Sequence, residues 1–258
     1  MRLHHRFDGP EDAPVLALPS SLGTTMELWE ANVPAWSETF RVLLYDQRGH
    51  GGSDVPPAPY SIEDLGRDFV SLLDELGIER VSFCGLSLGG ATAMWLAANV
   101  PARIDGLVLG CTSPRFGDPD SWQDRAAIVR GKGLEAIADT VVERWFTPAF
   151  ALEHPEVPAR FRELLVKTSR EGYAGCCEAL AGWDFRDGLG RIEAPTLVIA
   201  GSEDTAVPAD HGPLIADRIP NARLVVLPGA AHLGNVEPSA AFSGLVTEHL
   251  TTSILEVA

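Results

Sequence analysis

The chain has 258 residues, enough for one large domain or one domain with an insertion, and a 45% hydrophobic content supports a sizeable core. Charged residues make up 22%, which excludes global disorder. A net charge of −16 with no basic run argues against nucleic acid and anionic membrane as partners, although a local arginine can still hold an anionic substrate. The start, Met1-Arg2-Leu3-His4-His5, lacks the apolar stretch of a signal peptide. No run of about 18 apolar residues is present that could span a bilayer. Cys84, Cys111, Cys176 and Cys177 show neither C-x-x-C nor metal-ligand spacing, so reduced, buried thiols in a cytoplasmic protein are expected.

Taken in order, Leu3 to Phe7 reads as an edge strand and Pro14 to Leu18 as a buried one. The loop Pro19-Ser20-Ser21-Leu22-Gly23-Thr24-Thr25 follows, then a helical patch with Leu28, Trp29 and Trp36. Arg41 to Tyr45 is another buried strand, leading into the glycine-rich loop Asp46 to Asp54. Asp46 is expected to hold that loop by accepting backbone hydrogen bonds. Ser61 with Asp64 resembles a capping box with Asp in place of the usual Glu or Gln, Ile62, Leu65, Phe69, Leu72, Leu73 and Leu76 make one apolar helical face, and Gly77 stops the helix.

Val81 to Gly90 is the stretch with the most chemical content. An apolar strand runs into Gly85-Leu86-Ser87-Leu88-Gly89, which fits G-x-S-x-G, and a small-residue helix follows and ends before Pro101. Glycines on either side of Ser87 allow backbone to approach where a Cβ would clash. Gly106 to Gly110 is the next strand. Apolar strands alternating with amphipathic helices predict an α/β fold, with a mostly parallel sheet covered on both faces. From about Pro114 to Leu189 only helical patterns occur, expected at Ala126 to Val129, Leu134 to Phe146, Phe161 to Val166 and Tyr173 to Leu180. Strand rhythm returns at Thr196 to Ala200 and Arg223 to Leu227. The expected organisation is a core of residues 1–113 and 190–258, with residues 114–189 as a helical cap over the strand ends where ligands bind in such sheets.

A serine nucleophile needs a base, and the base needs an orienting carboxylate. Asp204 lies just past the strand at 196–200, with Glu203 as the alternative acid. His232 lies past the strand at 223–227 in a glycine- and alanine-rich loop, and is the candidate base. His4, His5, His154, His211 and His249 fall on expected surface elements, and His50 reads as structural. The oxyanion needs two N–H donors, expected from Leu88 and Leu22. No phosphate-binding loop, dinucleotide motif or metal-ligand cluster is present, so no cofactor is expected.

Ser20-Ser21-Leu22-Gly23-Thr24, Tyr45 to Gly51, Pro59-Tyr60-Ser61-Ile62, Phe83 to Gly90, Glu143 to Pro148 and Gly172 to Cys177 together resemble the α/β-hydrolase fold family. Within it they are similar to the 3-oxoadipate enol-lactonases of the β-ketoadipate pathway, although Ser20-Ser21 replaces the His-Gly of many relatives. The resemblance implies hydrolysis of a small carboxylate-bearing enol-lactone to 3-oxoadipate through a Ser87-His232-Asp204 acyl-enzyme mechanism. Arg144 beside Trp145 is the expected carboxylate ligand, with Arg125 and Arg130 near Trp122 as alternatives. Competing expectations are a carboxylesterase or cofactor-free perhydrolase of the same fold, and a binding protein without turnover.

Overall fold

The computed structural model describes the backbone of residues 1–257 and the side chains of residues 1–252. Seven strands, β1 (His5–Asp8), β2 (Val15–Pro19), β3 (Arg41–Tyr45), β4 (Val81–Leu86), β5 (Ile104–Gly110), β6 (Thr196–Gly201) and β7 (Ala222–Leu227), form one sheet. Its order is β1-β3-β2-β4-β5-β6-β7. Only β1 runs antiparallel to its neighbour; the other pairings are parallel.

The unbroken apolar strands follow from burial on both faces. Leu16, Leu18, Val42, Leu44, Cys84 and Leu86 point into one core, and the intervening Ala17, Leu43, Tyr45 and Phe83 into the other. With a side-chain period of two, each strand must therefore be apolar throughout. Every residue of β4 is buried, whereas the edge strand β7 is mostly half-buried or exposed.

The first core contains α1 (Val33–Trp36) and α10 (Ser239–Val257), with Trp29 and Trp36 5.8 Å apart and both against Phe242. On the opposite face lie α2 (Ile62–Leu76) and α3 (Leu88–Asn99), where Phe69 contacts both Tyr45 and Phe83 at 5.0 Å. Burying one such aromatic ring contributes about 1.5–3 kcal/mol. The α2 boundaries match the sequence expectation. Ser61 accepts from the Asp64 amide, Asp64 accepts from the Ser61 amide, and Gly77 caps the far end at φ 67°. Asp46 also behaves as expected, accepting from the amides of Met26 at 2.7 Å and Gly52 at 2.9 Å.

Between β5 and β6 lie α4 (Pro119–Lys132), α5 (Ala138–Glu143), α6 (Pro148–Glu153), α7 (Glu156–Lys167) and α8 (Arg170–Ala181). The single helix expected from Leu134 to Phe146 is a 3-10 turn followed by the short α5, with a break at Ile137. Ile137, Thr140, Val141 and Val142 are β-branched and weaken a continuous helix. The chain instead turns so that the Trp145 carbonyl accepts the Leu233 amide at 3.0 Å. The unforeseen α6 had a local signal, since the Thr147 side chain caps it and Pro148 opens it.

Two histidines depart from the surface placement expected of them. Nδ1 of His211, in α9 (His211–Ala216), lies 2.6 Å from Ser113 Oγ, and His249 on α10 is buried. All four cysteines are free and buried. Among the described residues no helix is long and apolar enough to cross a membrane.

The loop after β3 meets α8 backbone to backbone. A Cβ added at Gly49, where φ is 77°, would lie 2.4 Å from the Gly172 Cα. Neither backbone can retreat without moving its element. Gly49→Ala is therefore expected to lower unfolding stability by about 3 kcal/mol, from strain and overpacking together. Urea denaturation measures this, and an unchanged midpoint would show that the contact gives way easily.

Candidate functional site

β4 ends at Leu86 and α3 begins at Leu88, which leaves Ser87 to turn the chain between them. Its φ of 55° and ψ of −115° are unusual for a residue with a side chain. The neighbouring backbone pins that conformation. The Ser87 amide donates to Gly110 O at 2.9 Å, and its carbonyl accepts from Thr112 Oγ1 at 2.7 Å. A Cβ at Gly85 would lie 2.2 Å from Gly89 O, and one at Gly89 2.8 Å from Pro19 Cγ. The two glycines thus allow a turn too tight for other residues.

Asp204 and His232 follow β6 and β7, and their side chains meet. His232 Nδ1 lies 2.8 Å from Asp204 Oδ2, with both residues buried. The other carboxylate oxygen accepts the amides of Ala206 and Val207, each at 2.8 Å. A carboxylate so engaged can only accept from the ring, so Nδ1 carries the hydrogen and Nε2 keeps a lone pair. Glu203, the alternative acid, forms no side-chain hydrogen bond or ion pair with His232 among the described residues.

The His232 loop is clamped on both sides. The Ala231 amide donates to Glu237 Oε2 at 2.6 Å, and Glu237 Oε1 accepts the Thr147 amide at 2.6 Å. On the other side Leu233 N–H reaches Trp145 O at 3.0 Å. Both bonds tie the loop to the α5–α6 connection. Sequence reasoning missed Glu237; the only local signal was a carboxylate five residues after a loop histidine.

Ser87 and His232 border one cavity of about 60 Å³. Leu22, Ser21 and Thr24 line it from the β2 loop, and Trp122, Arg125, Arg144, Trp145 and Tyr173 from the helices between β5 and β6. The Leu22 amide has no internal acceptor among the described residues, and Leu88 is the first residue of α3, where an N–H lacks a partner within the helix. The candidate donors therefore stand on opposite sides of Ser87 in sequence, both with unsatisfied N–H groups.

The expected arginines separate. Arg125 stacks over Trp122 at 4.6 Å and forms no ion pair among the described residues. Arg144 donates through Nη2 to the carbonyl of Thr205, next to Asp204. Arg130 does not line the cavity: Glu171 and Glu178 hold its guanidinium through four hydrogen bonds of 2.5–3.1 Å. Those two carboxylates raise the Arg130 pKa. Tyr173, whose role the sequence did not reveal, borders the cavity with a buried hydroxyl that has no hydrogen-bond partner among the described residues. Burial pushes the Tyr173 pKa well up, while nearby Arg125 pulls it back in part.

Known proteins with similar sequences and structures share this fold. A family profile described as alpha/beta hydrolase fold matches residues 14–239. The chain is 41% identical over 244 residues to the "3-oxoadipate enol-lactonase 2" of Acinetobacter baylyi, covering 95% of this chain and 91% of that protein. It is 32% identical to the "Putative carbamate hydrolase RutD" of Stutzerimonas stutzeri, covering 99% of this chain and 98% of that one. The crystal structure of the enol-lactonase from Burkholderia xenovorans LB400 superposes with a TM-score of 0.94 at 43% identity, covering 96% of both chains.

Proposed function

Because this chain belongs to the α/β-hydrolase fold family, we propose that it is an enol-lactonase that opens 3-oxoadipate enol-lactone to 3-oxoadipate through Ser87, His232 and Asp204. The observation that carries the reading is a cavity in which Ser87 and His232 share walls with Arg125 and Arg144, neither ion-paired among the described residues. In a chain of net charge −16, two such guanidinium groups beside a serine favour a small anionic acyl substrate. Residues 114–189 act as a cap whose side chains supply the anion-binding wall, and the core supplies the reacting groups.

Ser87 Oγ attacks the ring carbonyl as His232 Nε2 takes its proton. The amides of Leu22 and Leu88 hold the oxyanion. Collapse breaks the ring C–O bond, and the leaving enol oxygen receives the proton from His232. The enol stays tethered because both halves came from one ring. Water activated by His232 releases the acid, and the enol becomes the 3-oxo group. Asp204 keeps the imidazole in its working tautomer throughout.

The test is a turnover screen over enol-lactones with and without a carboxylate, with p-nitrophenyl acetate as neutral ester. Arg125→Ala should raise KM for the charged lactone by about 10–100-fold, the cost of a lost charged hydrogen bond, and leave the neutral ester nearly unchanged. Arg144→Ala should impair both substrates, because Arg144 also braces the Asp204 loop. Equal losses from Arg125→Ala on both substrates would remove its carboxylate role. A second reading, carbamate hydrolysis, is favoured by the full-length similarity to the putative carbamate hydrolase. The same screen with a small carbamate added separates the two.

A further inference from the structure

The turn that carries the Leu22 amide is braced by a histidine outside the triad. Four of the five amides from Ser20 to Thr24 have internal acceptors: Tyr45 O at 2.8 Å, Thr24 Oγ1 at 2.8 Å, His50 Nε2 at 2.9 Å and Ser21 O at 3.0 Å, for residues 20, 21, 23 and 24 respectively. Leu22 is the exception. Saturating its neighbours leaves that one N–H available to an oxyanion.

Three of those four acceptors are backbone or lie within the turn. His50 is the side chain that reaches in from another loop, and it is 1% exposed. Its Nδ1 lies 3.1 Å from Arg48 O, a carbonyl that can only accept, so Nδ1 carries the hydrogen. Nε2 is then left with the lone pair that the Gly23 amide requires. Burial holds the His50 pKa below the usual imidazole range, with the charge of Asp46 opposing this. A neutral ring fits both contacts; a cation would set a donor against the Gly23 donor. Gly23 itself sits at φ 74° with no side chain to anchor it, and a Cβ there would lie 2.4 Å from the Leu165 Cδ1.

We infer that His50 is a positioning residue of the oxyanion hole: its Nε2 lone pair fixes the Gly23 amide and thereby keeps the adjacent Leu22 N–H in place for the tetrahedral intermediate. This rests on the reading of Ser87 as nucleophile with Leu22 and Leu88 as donors. His50 acts through the backbone and touches no reacting atom. Its loss should therefore weaken binding of the tetrahedral anion and spare binding of the planar ester.

His50→Leu removes the acceptor; His50→Gln offers a carboxamide oxygen to Gly23 and an N–H to Arg48. On the ester or lactone that the wild type turns over fastest, His50→Leu should lower kcat about 100-fold, comparable to losing one oxyanion donor, with KM within about threefold. The inhibition constant of a trifluoromethyl ketone, which serine converts to a tetrahedral anion, should rise by the same factor. The matching methyl ketone, bound as a planar carbonyl, should bind as before. His50→Gln should recover to within about tenfold of wild type. The inference is overturned if folded His50→Leu keeps its kcat, or loses kcat with unchanged trifluoromethyl ketone binding. It is equally overturned if folded His50→Gln fares as badly as His50→Leu. Should His50→Leu not fold, nitrogen NMR of histidine-labelled wild type decides. A protonated Nδ1 with bare Nε2 on His50 supports the brace, and the opposite tautomer ends it. Fluorophosphonate labelling of wild type separates the two layers. No adduct on Ser87 removes the nucleophile and this inference with it, whereas an adduct together with an unaffected His50→Leu removes this inference alone.

Discussion

Ser87→Ala is expected to lower turnover by about 10⁴–10⁶-fold while the protein stays folded. The loss is that large because the remaining groups have nothing to activate. His232 can still take a proton and the two amides can still hold an oxyanion, but attack must then come from water. A second substitution at the same position tests the backbone separately from the hydroxyl. Ser87 holds φ 55°, a conformation that costs a residue with a Cβ about 1–3 kcal/mol. Glycine adopts it freely but gives up about 0.5–1 kcal/mol to the entropy of the unfolded chain. The strain is the larger quantity, so Ser87→Gly should be inactive and yet more stable than wild type by about 1 kcal/mol. Rate assays and thermal melting read the two effects. An inactive variant that also melts lower would mean that the turn stores no strain.

Asp204→Asn should reduce kcat by about 10⁴-fold, nearly independent of substrate. The asparagine oxygen can go on accepting the amides of Ala206 and Val207, each 2.8 Å away, so the loop keeps its shape. What changes is the face toward His232. An amide N–H placed 2.8 Å from Nδ1 calls for a lone pair there, which moves the ring hydrogen to Nε2. That tautomer cannot take a proton from Ser87. Asp204→Ala should add a stability loss of about 1–3 kcal/mol, because two buried amides lose their acceptor. Comparing the two variants by kcat/KM and by melting separates tautomer control from loop support. If Asp204→Asn stays within about tenfold of wild type, the tautomer argument fails, since it needs the full factor.

Much of the architecture was legible because it follows from local chemistry. The α2 helix carries its own start, stop and apolar face in Ser61, Asp64, Gly77 and the Leu65-Phe69-Leu72 spacing. The strands announced themselves as apolar runs because both faces of the sheet are covered. G-x-S-x-G marked the Ser87 turn because only glycine tolerates the approaches measured at positions 85 and 89. Other features were hidden because their partners lie far along the chain. Glu237 is one carboxylate among many until Thr147 and Ala231 are seen to donate to it across 90 and 6 residues. Arg130 and Arg125 share a helix and look equivalent in sequence. Two glutamates on α8 neutralise the first, while the second lies over Trp122 beside the cavity.

By itself, then, the order of residues determined the strands and most of the helices outside the 134–153 segment, where the serine turn falls, and which residues end the strands on either side of it. Propensity, capping and side-chain period act within a few residues, so a short window carries them. The folded chain alone set the contact between Asp204 and His232 that the strand ends suggested, left two arginines on the cavity wall with no ion pair among the described residues, and brought His50 against the turn at Leu22. Each of these is a distance between groups separated by tens of residues, set by the pairing of β2, β3, β4, β6 and β7 in one sheet, and no local pattern encodes it.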